Sequence, residues 1–179
     1  MSSKKVVITG GPGSGKSTLI NELLKRGYHC LEEISRQVTL DAKKQGIDQL
    51  FLSQPLLFSE LLLKGRLEQF ESINKLQNTI TFFDRGIHDV LAYMDYIGDT
   101  YPDHFKHTCQ NTQYDAVYIL KPWKAIYKQD NERYETFDQA LKIHNSLLST
   151  YQNYNYRLID VPFDSVENRA NFILKTINN

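Results

Sequence analysis

The chain has 179 residues, 41% of them hydrophobic and 12% aromatic, which suits one globular domain with an ample core and excludes a disordered chain. Its 21 Lys+Arg balance 21 Asp+Glu, and zero formal net charge argues against a protein that grips nucleic acid or an anionic membrane through a broad basic surface. No apolar run reaches the roughly 18 residues of a membrane span, and the start, MSSKKVVITG, lacks the apolar core of a signal peptide, so a cytoplasmic protein is expected.

Residues 4–9, KKVVIT, read as a buried strand running into a loop that holds four of the nine glycines,. A helix is predicted from Lys16 to Arg26 on the stripe Leu19, Ile20, Leu23 and Leu24, ended by Gly27,. Residues 28–33, YHCLEE, form a second predicted strand and Ile34 to Lys44 a second helix. From Pro55 to about Gln77, Leu56, Leu63, Leu67, Phe70, Ile73 and Leu76 recur at helical spacing. This predicts one long amphipathic helix in which Gly65 is the weak point. TITFFD (79–84) is a third strand, followed by helices through Ile87, Val90, Leu91, Met94 and Ile97 and over Asp103 to Asn111. Ala116 to Leu120 is the fourth strand. After a polar stretch, Phe137, Ala140, Leu141, His144, Leu147, Leu148 and Tyr151 line one helical face, on which His144 reads as a packed histidine. YRLIDV (156–161) is the fifth strand, and Asp164 with Glu167 reads as the capping box of a last helix,. Alternating strands and helices imply parallel strands joined by helical crossovers, hence a three-layer α/β domain spanning residues 1–179. Cys30 and Cys109 have neither CxxC nor Cys/His ligand spacing and read as reduced, apolar residues.

Residues 10–17, GGPGSGKS, complete the G-x-x-x-x-G-K-[ST] pattern between an apolar strand and a helix,. Gly11, Pro12, Gly13, Ser14 and Gly15 are expected to turn successive N–H groups inward onto phosphate oxygens, assisted by the partial positive charge of the helix N-terminus. Lys16 is assigned to the β- and γ-phosphates, the Ser17 hydroxyl to Mg²⁺ and Thr18 to the α-phosphate. A nucleoside triphosphate, ATP or GTP, is the expected ligand.

Asp84 ends the third strand, where an acid holds the magnesium shell or caps the following helix,. Glu32 and Glu33 end the second strand and Arg36 follows. In a parallel sheet ligands sit beyond the carboxyl ends of the strands, so these residues, Asp84 and Arg85 are expected around one crevice. There a carboxylate, Glu33 or Asp84, would take or orient the proton of an acceptor hydroxyl while Arg36 or Arg85 anchors the acceptor. The bland alternatives are a solvated acidic pair and a surface ion pair. Segment 121–134, KPWKAIYKQDNERY, is either an exposed charged loop or a lid. As a lid, its Lys124, Lys128 and Arg133 would close over the transferring phosphoryl group. Trp123 and Tyr127 would stack on a base or pin that segment.

ITGGPGSGKSTL, EEISRQV, FFDRGIHDVLAY, IYKQDNERYETF and IDVPFDSVENRANFIL together span nearly the whole chain. In these motifs the chain resembles the NadR-like AAA domain family of P-loop proteins. That family includes the ribosylnicotinamide kinase domain of NadR and a GTP-binding domain of a eukaryotic TRP-channel translocation-defect protein. The resemblance implies a kinase-like strand order of 2-3-1-4-5 and a nucleotide base near the lid and residues 162–165. Arg85 stands where motor ATPases have a second acid after the first, and Asn74-Lys75-Leu76-Gln77 lacks the Asp of a guanine-reading N-K-x-D. Both departures favour phosphoryl transfer to an organic acceptor. The expectation is an ATP- and Mg²⁺-dependent small-molecule kinase with a nucleoside-like acceptor. The alternative is a regulatory nucleotide-binding module acting through a protein or lipid partner.

Overall fold

A computed structural model of the protein describes residues 3–76, 79–127 and 135–177. Five parallel strands, β1 (Lys4–Gly10), β2 (His29–Leu31), β3 (Ile80–Asp84), β4 (Ala116–Leu120) and β5 (Leu158–Val161), form one sheet in the order β2-β3-β1-β4-β5. This is the order implied by the resemblance. Val6 stands opposite Phe82 and Ala116 in the register, and Ile8 opposite Asp84. The carboxyl ends of β1, β3 and β4 therefore lie along one edge.

Alternation along β1 sends Val6 and Ile8 to one face and Val7 to the other. The first face packs on α1 (Lys16–Lys25) and α8 (Val166–Ile177) through Leu19, Leu23, Ala170 and Ile173. The second packs on α5 (His88–Ile97) and α7 (Phe137–Asn153) through Ala92, Ile143, Leu147 and Tyr151. A satellite core joins α5 and α6 (Asp103–Asn111) to α2 (Ile34–Lys44), α3 (Leu50–Ser53) and α4 (Pro55–Ser72). Among the described residues no helix is long and apolar enough to cross a membrane.

Several predicted elements are corrected. β2 ends at Leu31, so Glu32 and Glu33 lie beyond it, and Glu33 caps α2 by accepting a hydrogen bond from Ser35 N–H. The long helix stops at Ser72 and passes into a 3₁₀ turn at Ile73–Lys75. It is not amphipathic: Phe58, Leu62 and Leu63 are buried, while Leu56, Leu57 and Leu61 are exposed. Gly65 is tolerated because α2 crosses there, and a Cβ would fall 2.9 Å from Ile34 Cδ1. At α8 the cap is the Ser165 hydroxyl, which accepts from Asn168 N–H at 3.2 Å, while Asp164 accepts from Ser165 N–H and the Asn168 amide. Cys30 and Cys109 are free thiols, and burial pushes both up to about 12.

His88 is fully buried in a cage of Tyr114, Tyr151, Tyr154 and Tyr156, with the last two ring centroids at 4.9 Å. Neither ring nitrogen has a hydrogen-bond partner of normal geometry among the described residues. Burial pushes its pKa down from 6.5 to about 4, opposed weakly by the Asp89 carboxylate and the Cys109 backbone. Because the unfolded chain takes up the proton first, stability falls as pH drops from about 6.5 towards 4, by about 3 kcal/mol for a shift of this size. A His88→Phe variant, followed by thermal denaturation at pH 7.5 and pH 5, should lose most of that pH-dependent difference. An unchanged difference would locate the titration elsewhere.

Candidate functional site

The turn from β1 into α1 supplies the phosphate loop. Gly13 (φ 70°) and Gly15 (φ 78°) occupy the left-handed region that glycine adopts without a Cβ penalty,. Both are also closed to a side chain by contact: a Cβ at Gly13 would fall 2.2 Å from the Tyr127 ring, and one at Gly15 would fall 2.7 Å from Arg169 Nη1. Gly11 and Ser14 are buried, Pro12 is half-buried, and Ser17 and Thr18 are exposed at the start of α1. Gly15 precedes the helix without a side chain to occupy its first N–H groups, the arrangement that receives an anion at a helix N-terminus.

Lys16 is buried and its ammonium is paired with the Asp84 carboxylate at the end of β3. Burial and the nearby Arg85 lower the Lys16 pKa, while Asp84 and Glu33 oppose them. The Lys16–Asp84 and Arg85–Glu33 ion pairs bring the loop, the end of β3 and the start of α2 together. Asp84 is thus a partner of Lys16 and not the cap of α5.

Next to this pair lies a second group of charges. Glu33 Oε1 receives Arg66 Nη2 at 2.9 Å, and Glu33 Oε2 receives Arg85 Nε at 2.6 Å. Arg66 also donates from Nη1 to the Gly86 carbonyl at 3.0 Å, and Arg85 Nη1 stands 3.3 Å from Asp89 Oδ1. Asp89 in turn accepts from Thr9 at 2.5 Å, Tyr151 at 2.6 Å and Gly86 N–H at 3.0 Å. Desolvation works to raise the Glu33 pKa, but Arg66, Arg85 and Lys16 outweigh it and hold the carboxyl at about 2. Arg85 has φ 71°, a conformation that costs a non-glycine residue about 1 kcal/mol or more. Its ion pairs to Glu33 and Asp89 hold it there.

The structure thus brings together Lys16, Glu33, Asp84 and Arg85. Glu32 is exposed, and its backbone carbonyl accepts from Gln69. Arg36 is exposed on the first turn of α2. Lys124 is exposed after β4, and Lys128 and Arg133 lie outside the described residues. Trp123 stacks on Phe163, with centroids 5.2 Å apart and planes at 27°. Tyr127 meets Phe137 edge-on and donates to the Glu135 carbonyl. His144 is packed and its pKa is lowered by burial. Sequence reasoning missed Arg66 and Asp89, although each left a signal. Arg66 is a lone cation on the Leu62/Leu63 stripe, and Asp89 follows Arg85 by one helical turn.

The fold recurs in solved structures at low identity. Deoxyadenosine kinase from M. mycoides is 17% identical with a TM-score of 0.71, covering 97% of this chain and 98% of that one. Thymidylate kinase from Candida albicans is 17% identical with a TM-score of 0.71, covering 99% and 92%. The NadR protein in complex with NR is 15% identical with a TM-score of 0.77, covering 98% of this chain and 51% of that one, so the chain spans about half of NadR. At these identities the likeness establishes the P-loop kinase-like fold. A search of curated protein sequences finds no match. The model of an AAA domain family matches residues 5–169, from the first residues of β1 to Arg169 on α8. With the phosphate loop, the strand order and nearly the whole length in agreement, the chain belongs to the NadR-like AAA domain family of P-loop proteins.

Proposed function

We infer that the protein is an ATP-dependent kinase that transfers the γ-phosphoryl group to a hydroxyl of a nucleoside-like acceptor. The observation that carries this reading is the Glu33 carboxylate, held from two sides by Arg66 and Arg85 beside the Lys16–Asp84 pair. Buried Arg66 and half-buried Arg85 are engaged with Glu33, with Asp89 and with the Gly86 carbonyl. Glu33 Oε2 takes Arg85 Nε as a donor, and a carboxylate oxygen has a second lone pair with which to accept from an acceptor hydroxyl.

In this reading Lys16 and the N–H groups of residues 11–18 bind the triphosphate, and Lys124, Lys128 and Arg133 supply cations to the transferring group. Ser17 and Asp84 offer hydroxyl and carboxylate oxygens, hard donors that fit Mg²⁺, an ion that takes one or two protein ligands and fills the rest with water and phosphate. The ion would neutralise charge on the β- and γ-phosphates. The acceptor oxygen forms a bond to the γ-phosphorus as the bond from that phosphorus to the bridging β,γ-oxygen breaks, and the hydroxyl proton passes to Glu33. A carboxylate titrating near 2 is a weak base, which suits a loose transition state in which the nucleophile loses its proton late. Glu33 accordingly orients the hydroxyl first and accepts its proton last.

The test is incubation with Mg²⁺ and ATP or GTP against a panel of nucleosides and nucleoside monophosphates, read by mass spectrometry. A phosphorylated nucleoside is the expected product. Tight nucleotide binding without any phosphorylated acceptor would instead support a regulatory module.

A further inference from the structure

Arg169, on the first turn of α8, has no part in the chemistry above, and its placement is costly. It is 3% exposed, Nη2 donates to the Ser14 carbonyl at 3.0 Å, and Nε has no hydrogen-bond partner among the described residues. Burial lowers its pKa, and no carboxylate among the described residues offsets the loss of water. A cation in the first turn of a helix also opposes the helix dipole. Replacing a buried charged side chain by an apolar one of similar volume is often neutral or stabilising, so fold stability gives little reason for an arginine at this place.

Its surroundings do. Nη1 lies against Gly15, and the guanidinium carbon stands 5.9 Å from the centroid of Trp123. Trp123 follows β4, and its stacking partner Phe163, 52% exposed, follows β5. The two rings thus lie at the edge of the sheet that carries the phosphate loop, one guanidinium away from it. An aromatic surface of this kind accepts the π-face of any nucleobase. We propose that Arg169 is a positioning residue for the nucleotide: it ties the outer side of the phosphate loop, at Ser14 and Gly15, to the Trp123–Phe163 stack. A base on the stack and a triphosphate in the loop then strengthen each other's binding. The inference rests on the loop as the nucleotide site and not on the identity of the acceptor.

Calorimetric titration of the full chain with Mg²⁺ and either ATP or inorganic tripolyphosphate separates base-dependent from phosphate-dependent binding. Arg169→Met should weaken ATP about tenfold or more, within the usual range of coupling between sites, and weaken tripolyphosphate clearly less. In the Trp123→Leu background the same substitution should add little, because the tie has lost one end. Thermal denaturation should find Arg169→Met at least as stable as the parent. Equal losses for both ligands, additive effects of the two substitutions, or a less stable Arg169→Met protein would each overturn the proposal. Failure of the unaltered chain to bind either ligand would count against the phosphate loop as the nucleotide site, a distinguishable result.

Discussion

A Lys16→Ala variant should lose about 10³-fold or more in turnover, because a preorganised cation aimed at developing phosphate charge in a dry site contributes on that scale. Lys16 is positioned for this by its place as the first residue of α1, behind two left-handed glycines, and by its buried contact with Asp84. Its burial is itself part of the effect, since a charge shielded from water interacts more strongly with what enters beside it. The substitution also leaves Asp84 without its cation, so thermal denaturation should accompany the kinetics. The expected result is loss of turnover in protein that is still folded at the assay temperature. Near-normal turnover would sink the assignment of the loop as the phosphoryl-donor site.

Glu33 and Arg66 make the second large prediction, because the two members of the pair should fail differently. Glu33→Gln should lower acceptor phosphorylation by about 10²–10⁴-fold, the range for losing a positioned proton acceptor, while ATP binding to the loop persists. Arg66→Ala instead leaves a buried carboxylate with one cation fewer, and breaking such a pair costs about 3–5 kcal/mol of stability. The pH profile separates this loss of stability from the effect on the site. In the parent protein Glu33 titrates near 2, so it stays ionised and imposes no acid limb on turnover between pH 5 and 8. Without Arg66 its pKa rises towards the ordinary carboxylate range, and turnover of that variant should fall at a higher pH than turnover of the parent. Coincident acid limbs in the two proteins would show that Glu33 does not titrate with the reaction.

The contrast between these two residues shows what could be read from the chain directly. Lys16 lies in a contiguous run whose glycines, cation and hydroxyl identify themselves by spacing, and the strand before it and helix after it have clean periodicity. Asp84 and Arg85 were legible for the same reason, at the end of an apolar strand. Glu33 was legible as a candidate, but its partner Arg66 is 33 residues away, and Asp89 is anchored by Thr9 and Tyr151, 80 and 62 residues distant. No local pattern reports such separations. Gly65 illustrates the same limit in the fold. Propensity marks a glycine in a helix as a weakness, whereas here it is the space that lets α2 cross α4 at Ile34. The apolar residues of α4 misled in the other direction, because helical spacing alone does not say which of several leucine stripes faces inward, and Leu56 proved to be outside.

The sequence by itself determined the phosphate loop, the alternation of strand and helix and hence the parallel sheet, because each depends on interactions within a few residues or on a short period. Only the tertiary structure decided which charges share the site. It showed Glu33 clamped between two arginines, Asp84 paired with Lys16, and Arg169 laid against a loop 155 positions earlier in the chain. The zero net charge of the chain is silent on this, since Coulomb interactions in a buried site depend on distance and burial rather than on totals. Folding brings Lys16, Arg66 and Arg85 together with Glu33, Asp84 and Asp89, and the chemistry of the site comes from that proximity.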